Sequence, residues 1–278
     1  MLRPLVLAVV VLALASGTAL GAKGGPAPGV TVGWDGVVDS TSATRYVALP
    51  AARTTAVAAV RTSGGRIERY RTIAGAFGVP LVAFDGTAEG VSRDGRTLVL
   101  ADVAASAKKT SFAVLRTRSL SLAKRFTLPG RWSYDALSPD GRTLYAIQYH
   151  GADQNARYSV RSVSLATGKP FGAAIVDRRE PDEEMYGSPW SRVWSGDGAR
   201  AYTFYASPGG SAFVHALDTA RRLAYCIDLP WRSSLEALSS VRLSLDGDGE
   251  RLVLSKPNAG RLAVIDTTTW KVSAFRRP

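Results

Sequence analysis

Short apolar runs alternate with polar turns along most of the chain, and no segment beyond the first 22 residues sustains a helical spacing of apolar positions. Residues 98–100, 144–147 and 252–254 are examples of these runs, which are rich in Leu, Val, Ala and aromatic side chains. Gly, Asp, Ser and Thr bound them, as is typical of strands joined by hairpin turns. The pattern therefore predicts an all-β chain of short antiparallel strands.

A four-residue turn signal, Ser-x-Asp-Gly, recurs four times at intervals of 46 to 57 residues, with its Asp at Asp94, Asp140, Asp197 and Asp246. An apolar residue precedes each Ser, and a strand-like run follows each Gly. Gly tolerates a positive φ, and Asp accepts hydrogen bonds from nearby backbone amides. Each copy is therefore predicted to be the hairpin between the first and second strands of a repeated unit.

After the two strands that flank each turn come two further apolar runs, so every unit contains four strands. These four strands make one antiparallel sheet. Tandem sheets of this size pack face to face by closing into a ring. Residues 44–80 show a weaker version of the same pattern and make a fifth unit. The predicted fold is a β-propeller of about five four-stranded antiparallel blades, formed by residues 44–278 as a single domain.

The Ser-x-Asp-Gly-x-x-Leu repeat resembles the repeats of bacterial YVTN-type and TolB-type propellers, which are similar in architecture to WD-repeat proteins. The resemblance covers residues 85–278, and residues 138–145 are its clearest copy. The third copy departs from the pattern, with Gly196 and Ala201 where the family favours Pro and Leu. The resemblance implies a fold and leaves the function open, because such propellers carry many unrelated activities.

The N-terminus has the order of a secretory signal peptide over residues 1–21: Arg3, an apolar run from 5 to 15, then small residues. Residues 22–43 are interpreted as a linker, in which 30–38 is a candidate strand for closing the propeller ring. We therefore expect a secreted or extracytoplasmic protein with no membrane span after cleavage. An uncleaved N-terminal anchor is the alternative.

The formal net charge is +12, but the arginines are dispersed along the sequence. Nucleic-acid binding requires a concentrated basic face, so no nucleic-acid partner is predicted. The single cysteine, Cys226, excludes an intramolecular disulfide, and its apolar neighbours predict a buried side chain.

Candidate site residues come from the equivalent position five residues before three of the turn aspartates: Glu89, Asp135 and Arg192. Propeller symmetry would bring them near a common axis, where they would either hold a polar ligand or cation or pair with one another. The aromatic candidates all precede first strands and would either line one binding face or wedge between blades; they are Trp132, Tyr134, Trp190 and Trp231.

The segment 179–184 is an acidic loop between the third and fourth units. It suits a cation or a basic partner, and the alternative is a solvated loop.

Motifs for catalysis are scarce, since the chain has two histidines, His150 and His215, and no nucleophile elbow or cofactor-attachment motif. No metal or cofactor is predicted. The sequence favours a non-catalytic binding module whose partner is a protein, a peptide or a cell-envelope polymer. The alternative is a metal-dependent hydrolase of the lactonase kind, with Glu89 and Asp135 as ligands and His150 as base.

Overall fold

The computed structural model describes residues 28–104, 106, 108–151, 157–182 and 184–278. The predicted signal peptide lies outside these residues. Within them the chain forms five antiparallel sheets, which we number as blades 1 to 5 in chain order. The strands of blade 1 are Gly33–Val38 (β2), Thr44–Pro50 (β3), Thr54–Arg61 (β4) and Ile67–Ala74 (β5).

The other blades repeat this order, and a two-residue strand precedes them all. That strand is Val30–Thr31 (β1). The strands of blade 2 are Phe77–Pro80 (β6), Thr97–Asp102 (β7), Lys109–Arg116 (β8) and Ser121–Pro129 (β9). The strands of blade 3 are Trp132–Leu137 (β10), Thr143–His150 (β11), Arg157–Ser164 (β12) and Lys169–Ile175 (β13). Blade 4 is Ser188–Trp194 (β14), Arg200–Ala206 (β15), Ser211–Asp218 (β16) and Leu223–Arg232 (β17); a short helix, Leu235–Ser239 (α1), leads to blade 5, which is Arg242–Leu245 (β18), Arg251–Lys256 (β19), Gly260–Asp266 (β20) and Val272–Ala274 (β21).

This arrangement confirms the predicted five-bladed, four-stranded β-propeller. In every blade the four consecutive strands pair in chain order as an antiparallel meander, and the short strand β1 adds to the blade 2 sheet from outside that stretch. No helix among the described residues combines the length and apolarity that crossing a membrane requires.

The segment 30–38 does not close the ring in the predicted way. Val37 and Val38 pair with Tyr46 and Arg45, which makes β2 the first strand of blade 1. Val30 and Thr31 pair instead with β6 of blade 2. Blade 5 takes all four of its strands from residues 242–274. The strands of the propeller therefore begin at residue 30, before the predicted boundary at residue 44.

The repeated turn is held by the same hydrogen bonds in blades 2, 3 and 4. In blade 3, Ser138 Oγ donates to Asp140 Oδ1 at 2.6 Å, and the same hydroxyl accepts from the Thr143 backbone N at 3.0 Å. Gly141 completes the turn with φ +64°, a conformation that Gly adopts without steric cost. The Ser and Asp of the repeat therefore satisfy the backbone amides of the turn. Blade 5 differs, because the Asp246 carboxylate accepts hydrogen bonds from both the backbone N and the side-chain Nε of Arg251.

Apolar side chains form the core between adjacent blades. Blades 2 and 3 enclose Phe112 and Leu144, and blades 4 and 5 enclose Phe204 and Leu254, all without measurable exposure. Burying one such side chain contributes about 1.5–3 kcal/mol. Cys226 is only half-buried, in contrast to the prediction, because the cleft described below lies beside it.

Candidate functional site

One guanidinium brings together the three charged residues predicted near the axis. Arg192, on β14, donates from Nη2 to Asp135 Oδ1 of β10 and from Nη1 to the Asp135 backbone O at 2.5 Å. Its Nη1 also lies 3.4 Å from Glu89 Oε1, and its Nε donates to Thr203 Oγ1 at 2.8 Å. Trp194 Nε1 donates to the same Glu89 oxygen at 2.8 Å. Residues of blades 2, 3 and 4 therefore meet in one hydrogen-bonded cluster.

The cluster is buried and largely satisfied from within. The side chains of Arg192 and Asp135 are each 1% exposed, and that of Glu89 is 12% exposed. Burial disfavours the charge of Arg192, but Asp135 and Glu89 outweigh it and raise the pKa of the guanidinium. Burial raises the pKa of Glu89, against the opposing effect of Arg192. Of the predicted alternatives, the structure shows the residues paired with one another.

This pairing does not favour the alternative prediction, in which Glu89 and Asp135 are metal ligands. Arg192 already binds a carboxylate oxygen of each, so a cation bound by both would lie beside the guanidinium and be repelled by its charge. Among the described residues, no group of three or more His, Cys, Asp and Glu side chains is arranged to hold a metal ion. Asp135 Oδ2 has no hydrogen-bond partner among the described residues.

Most of the predicted aromatic site residues belong to the cores between blades. Trp132 and Tyr134 are each 4% exposed between blades 2 and 3, and Trp231 is 3% exposed between blades 4 and 5. Trp190 is half-buried and packs on Phe84 of blade 2, with ring centroids 5.0 Å apart. These four side chains do not form an exposed aromatic ring on one face. The alternative, wedging between blades, describes Trp132, Tyr134 and Trp231.

A cleft lies between blades 3 and 4, and we call it the blade 3–4 cleft. It consists of an outer cavity of about 660 Å³ and an inner cavity of about 300 Å³, which share Glu184, Met185 and Cys226 as lining residues. The outer cavity is also lined by Tyr186, Ser211, Ala212, Phe213, Asp228, Leu229, Pro230, Trp231, Arg232 and Arg277. The inner cavity is also lined by His150, Tyr158, Ser159, Arg161, 174–177, 180–182 and His215.

The acidic loop forms one wall of this cleft because both of its ends are anchored by backbone contacts. At one end, Asp177 pairs with Ala224 of β17, which joins blade 3 to blade 4. At the other end, the Tyr158 backbone N donates to Met185 O at 3.0 Å. The predicted acidic segment is therefore part of a cavity.

Asp177 fixes the first of these anchors. Its carboxylate accepts from Arg179 Nη2 at 2.6 Å and from the Cys226 backbone N at 2.8 Å. Burial would raise the pKa of Asp177, but these hydrogen bonds outweigh burial and lower it. The carboxylate is therefore ionised at neutral pH and joins the loop to blade 4.

Two buried polar atoms belong to side chains that line the inner cavity. His215 Nε2 has no hydrogen-bond partner among the described residues, and Tyr158 Oη lies beside the Tyr205 hydroxyl. Both residues are 1% exposed. Burial lowers the pKa of His215 to about 4, so its ring is neutral at pH 7. Burial also raises the pKa of Tyr158, which keeps the phenol protonated. The cavity therefore has two neutral groups with unused hydrogen-bonding capacity.

Sequence reasoning singled out neither Tyr158 nor the inner cavity. His215 lies in β16, and the lack of a hydrogen-bond partner for its Nε2 among the described residues was not predicted. His150, the predicted base, lies at the end of β11 with Nε2 2.9 Å from Ser159 Oγ. The pairing of His215 with Cys226 across β16 and β17 depends on strand register, which the sequence pattern leaves open.

Comparisons with known proteins support the architecture and no specific activity. No protein-family model matches the chain, and no curated protein matches it. A structure described as a functionally unknown protein from Desulfotomaculum acetoxidans DSM 771 is 12% identical, with a TM-score of 0.53 over 89% of this chain and 71% of that one. At such low identity the likeness concerns the fold alone.

Two other solved structures are similar at lower scores. One is described as a putative 6-phosphogluconolactonase from Bacteroides fragilis NCTC 9343, with 15% identity and a TM-score of 0.47 over 86% of this chain and 68% of that one. The other is TolB from Acinetobacter baumannii, with 12% identity and a TM-score of 0.38 over 83% of this chain and 56% of that one. The resemblance to YVTN-type repeats stays a prediction.

Proposed function

We propose that this protein is a non-catalytic, extracytoplasmic β-propeller that binds a segment of a protein partner in the blade 3–4 cleft. The observation that supports this is the pair of adjoining cavities, of about 660 and 300 Å³. Small-molecule and cofactor pockets typically measure about 300–1,000 Å³ and combine apolar walls with a few polar groups. The extracytoplasmic location rests on the predicted signal peptide.

The lining of the cleft favours a peptide over an anionic envelope polymer. Met185 and Phe213 provide apolar surface, and the described linings of the two cavities together contain five carboxylates and three guanidinium groups. Carboxylates repel phosphate- or carboxylate-rich polymers, whereas a peptide offers apolar side chains, backbone amides and cationic groups together. Aromatic side chains beside polar groups are also typical of protein-binding hot spots.

A selection experiment tests the site. A random peptide library would be displayed against the purified protein, and the affinity of the selected peptides would be measured by calorimetry. Tyr186 lines the outer cavity and is 41% exposed, so Tyr186→Ala removes contact surface without opening a core. We expect this variant to lose about tenfold or more in affinity.

Tyr70→Ala is the matched control, because Tyr70 is 76% exposed on β5 of blade 1. It should bind the same peptides with unchanged affinity. Selected peptides that bind Tyr186→Ala as tightly as the unaltered protein would contradict the cleft assignment. A response to cell-wall glycan fragments, abolished by Tyr186→Ala and not matched by any peptide, would replace the peptide ligand by an envelope polymer.

A further inference from the structure

The carboxylates around the inner cavity are only partly neutralised. Glu184 lies 3.4 Å from Arg157 and Asp177 pairs with Arg179, whereas Glu180, Asp182 and Asp228 form no ion pair with any described residue. The protein as a whole carries a formal net charge of +12. The described lining of the inner cavity has four carboxylates and one guanidinium, that of Arg161. This excess of negative charge on such a basic chain indicates a cationic ligand.

Two of these carboxylates also affect one another. Burial raises the pKa of Asp228, and the neighbouring Glu180 raises it further, against the effect of Arg179. A ligand cation beside both carboxylates would relieve their repulsion further than Arg179 does. Glu180 lines the inner cavity and Asp228 lines the outer cavity, so both carboxylates would attract a cation that enters the inner cavity from the outer one.

The two neutral groups of the inner cavity point to the same ligand chemistry independently of the carboxylates. His215 Nε2 is buried without a hydrogen-bond partner among the described residues, and Tyr158 Oη, beside the Tyr205 hydroxyl, keeps a lone pair that can accept. A neutral imidazole nitrogen and a phenol oxygen can both accept hydrogen bonds. A primary ammonium has three donors and no acceptor, so it would use these groups and a carboxylate together.

We propose that the inner cavity of the blade 3–4 cleft binds the primary ammonium of a lysine side chain, presented by the peptide that occupies the outer cavity. This inference rests on the proposed function. Glu180 and Asp228 supply the compensating charge, and Tyr158 and His215 accept hydrogen bonds at the inner end. A guanidinium has a planar fork of five donors, and two isolated neutral acceptors match it less well than the compact ammonium.

The test uses peptides of the form acetyl-Ala-Ala-X-Ala-Ala-amide, with X as lysine, Nε-acetyl-lysine, norleucine, arginine or glutamate, and the purified protein. Titration calorimetry should show the lysine peptide binding about tenfold or more tightly than the norleucine and acetyl-lysine peptides. The double variant Glu180→Gln with Asp228→Asn should remove most of this preference and leave norleucine binding unchanged.

The matched control is the double variant Asp35→Asn with Glu250→Gln. It changes the net charge equally at two exposed carboxylates, on β2 and in the blade 5 turn, that form no ion pair among the described residues. It should retain the lysine preference.

Separate outcomes distinguish the two proposals. If the lysine and norleucine peptides bind equally, and Tyr186→Ala weakens both, the ammonium site is wrong while the peptide-binding cleft stands. If arginine binds as tightly as lysine, the preference for an ammonium is wrong. If no peptide of the series binds and the displayed library yields none, both proposals fail.

Discussion

Arg192 on β14 donates a hydrogen bond to Asp135 on β10, although the two residues are 57 positions apart in the sequence. The same guanidinium also contacts Glu89, which lies between β6 and β7 of blade 2. Both side chains of the Arg192–Asp135 pair are 1% exposed. The Arg192 side chain thus connects blades 2, 3 and 4.

Replacement of this arginine should be among the most damaging substitutions in the chain. Arg192→Met leaves Asp135 and Glu89 buried without a compensating cation, and breaking a buried ion pair from one side costs about 3–5 kcal/mol. We expect the free energy of unfolding, measured by urea denaturation, to fall by about that amount. Arg178 is exposed and forms no ion pair with the described residues, so Arg178→Met should cost less than about 0.5 kcal/mol. Equal effects of the two substitutions would show that the cluster contributes nothing specific to stability.

Acid should destabilise the fold partly through His215. Burial lowers the pKa of this residue to about 4, whereas an unfolded His titrates near 6.5. Between these values the unfolded chain binds a proton that the folded chain does not, so stability is lost as the pH falls through this window. The loss attributable to His215 is on the order of 3 kcal/mol by about pH 4.

The measurement compares urea unfolding of the unaltered protein and His215→Gln at about pH 7 and about pH 4.5. Other groups titrate in both proteins, so the difference between their two pH dependences isolates His215. The unaltered protein should lose more stability than the variant, by about 2–3 kcal/mol. The same pH dependence in both proteins would mean that His215 accepts a proton freely in the folded state.

The tryptophans should divide into structural and peripheral groups. Trp132 is 4% exposed and donates from Nε1 to Pro129 O at 2.8 Å, so Trp132→Ala should cost about 3–5 kcal/mol of unfolding free energy. Trp34 on β2 is 56% exposed, and Trp34→Ala should change stability by less than about 0.5 kcal/mol. Thermal or urea unfolding of both variants checks this. A small effect at Trp132 would mean that the interface of blades 2 and 3 tolerates a large cavity.

Two turn glycines should respond differently to the same substitution. Gly141 and Gly249 both have positive φ, +64° and +78°, so alanine introduces backbone strain of about 1 kcal/mol at either position. A Cβ on Gly141 would also lie 2.8 Å from Ser92 Cβ of the preceding blade, whereas the nearest atom to a Cβ on Gly249 is Leu245 Cδ2 at 3.5 Å. Gly141→Ala should therefore cost at least about 1 kcal/mol more than Gly249→Ala in urea unfolding. Equal costs would show that adjacent blades separate easily at the turn.

The sequence predicted those parts of the fold that depend on local patterns. The Ser138, Asp140 and Gly141 turn satisfies its own backbone within a few residues, so the repeat revealed both the hairpins and the number of blades. The role of residues 30–38 was not predictable in this way. A strand pattern does not specify its partner, and this segment pairs with β3 and β6 rather than with blade 5.

The candidate sites show the same division. Symmetry placed Glu89, Asp135 and Arg192 together, but their mutual pairing depends on side-chain geometry that periodicity does not contain. Trp132 and Trp190 lie in first strands, and Trp231 lies in the last strand of blade 4. Their burial depends on how adjacent blades pack, which the sequence pattern does not show. The blade 3–4 cleft arises where Asp177 pairs with Ala224 across two blades, a contact between distant segments that leaves no local signal.

The blade connectivity has a consequence for how the chain folds. The four strands of each blade pair in chain order, and only β1 joins a sheet from outside its blade, so most strand pairs join segments that are neighbours in sequence. Each blade can acquire its hydrogen bonds before the ring exists, and nearest-neighbour packing then adds stability blade by blade. The Arg192 cluster needs blades 2, 3 and 4 at once, so we expect it to form late and mainly to slow unfolding.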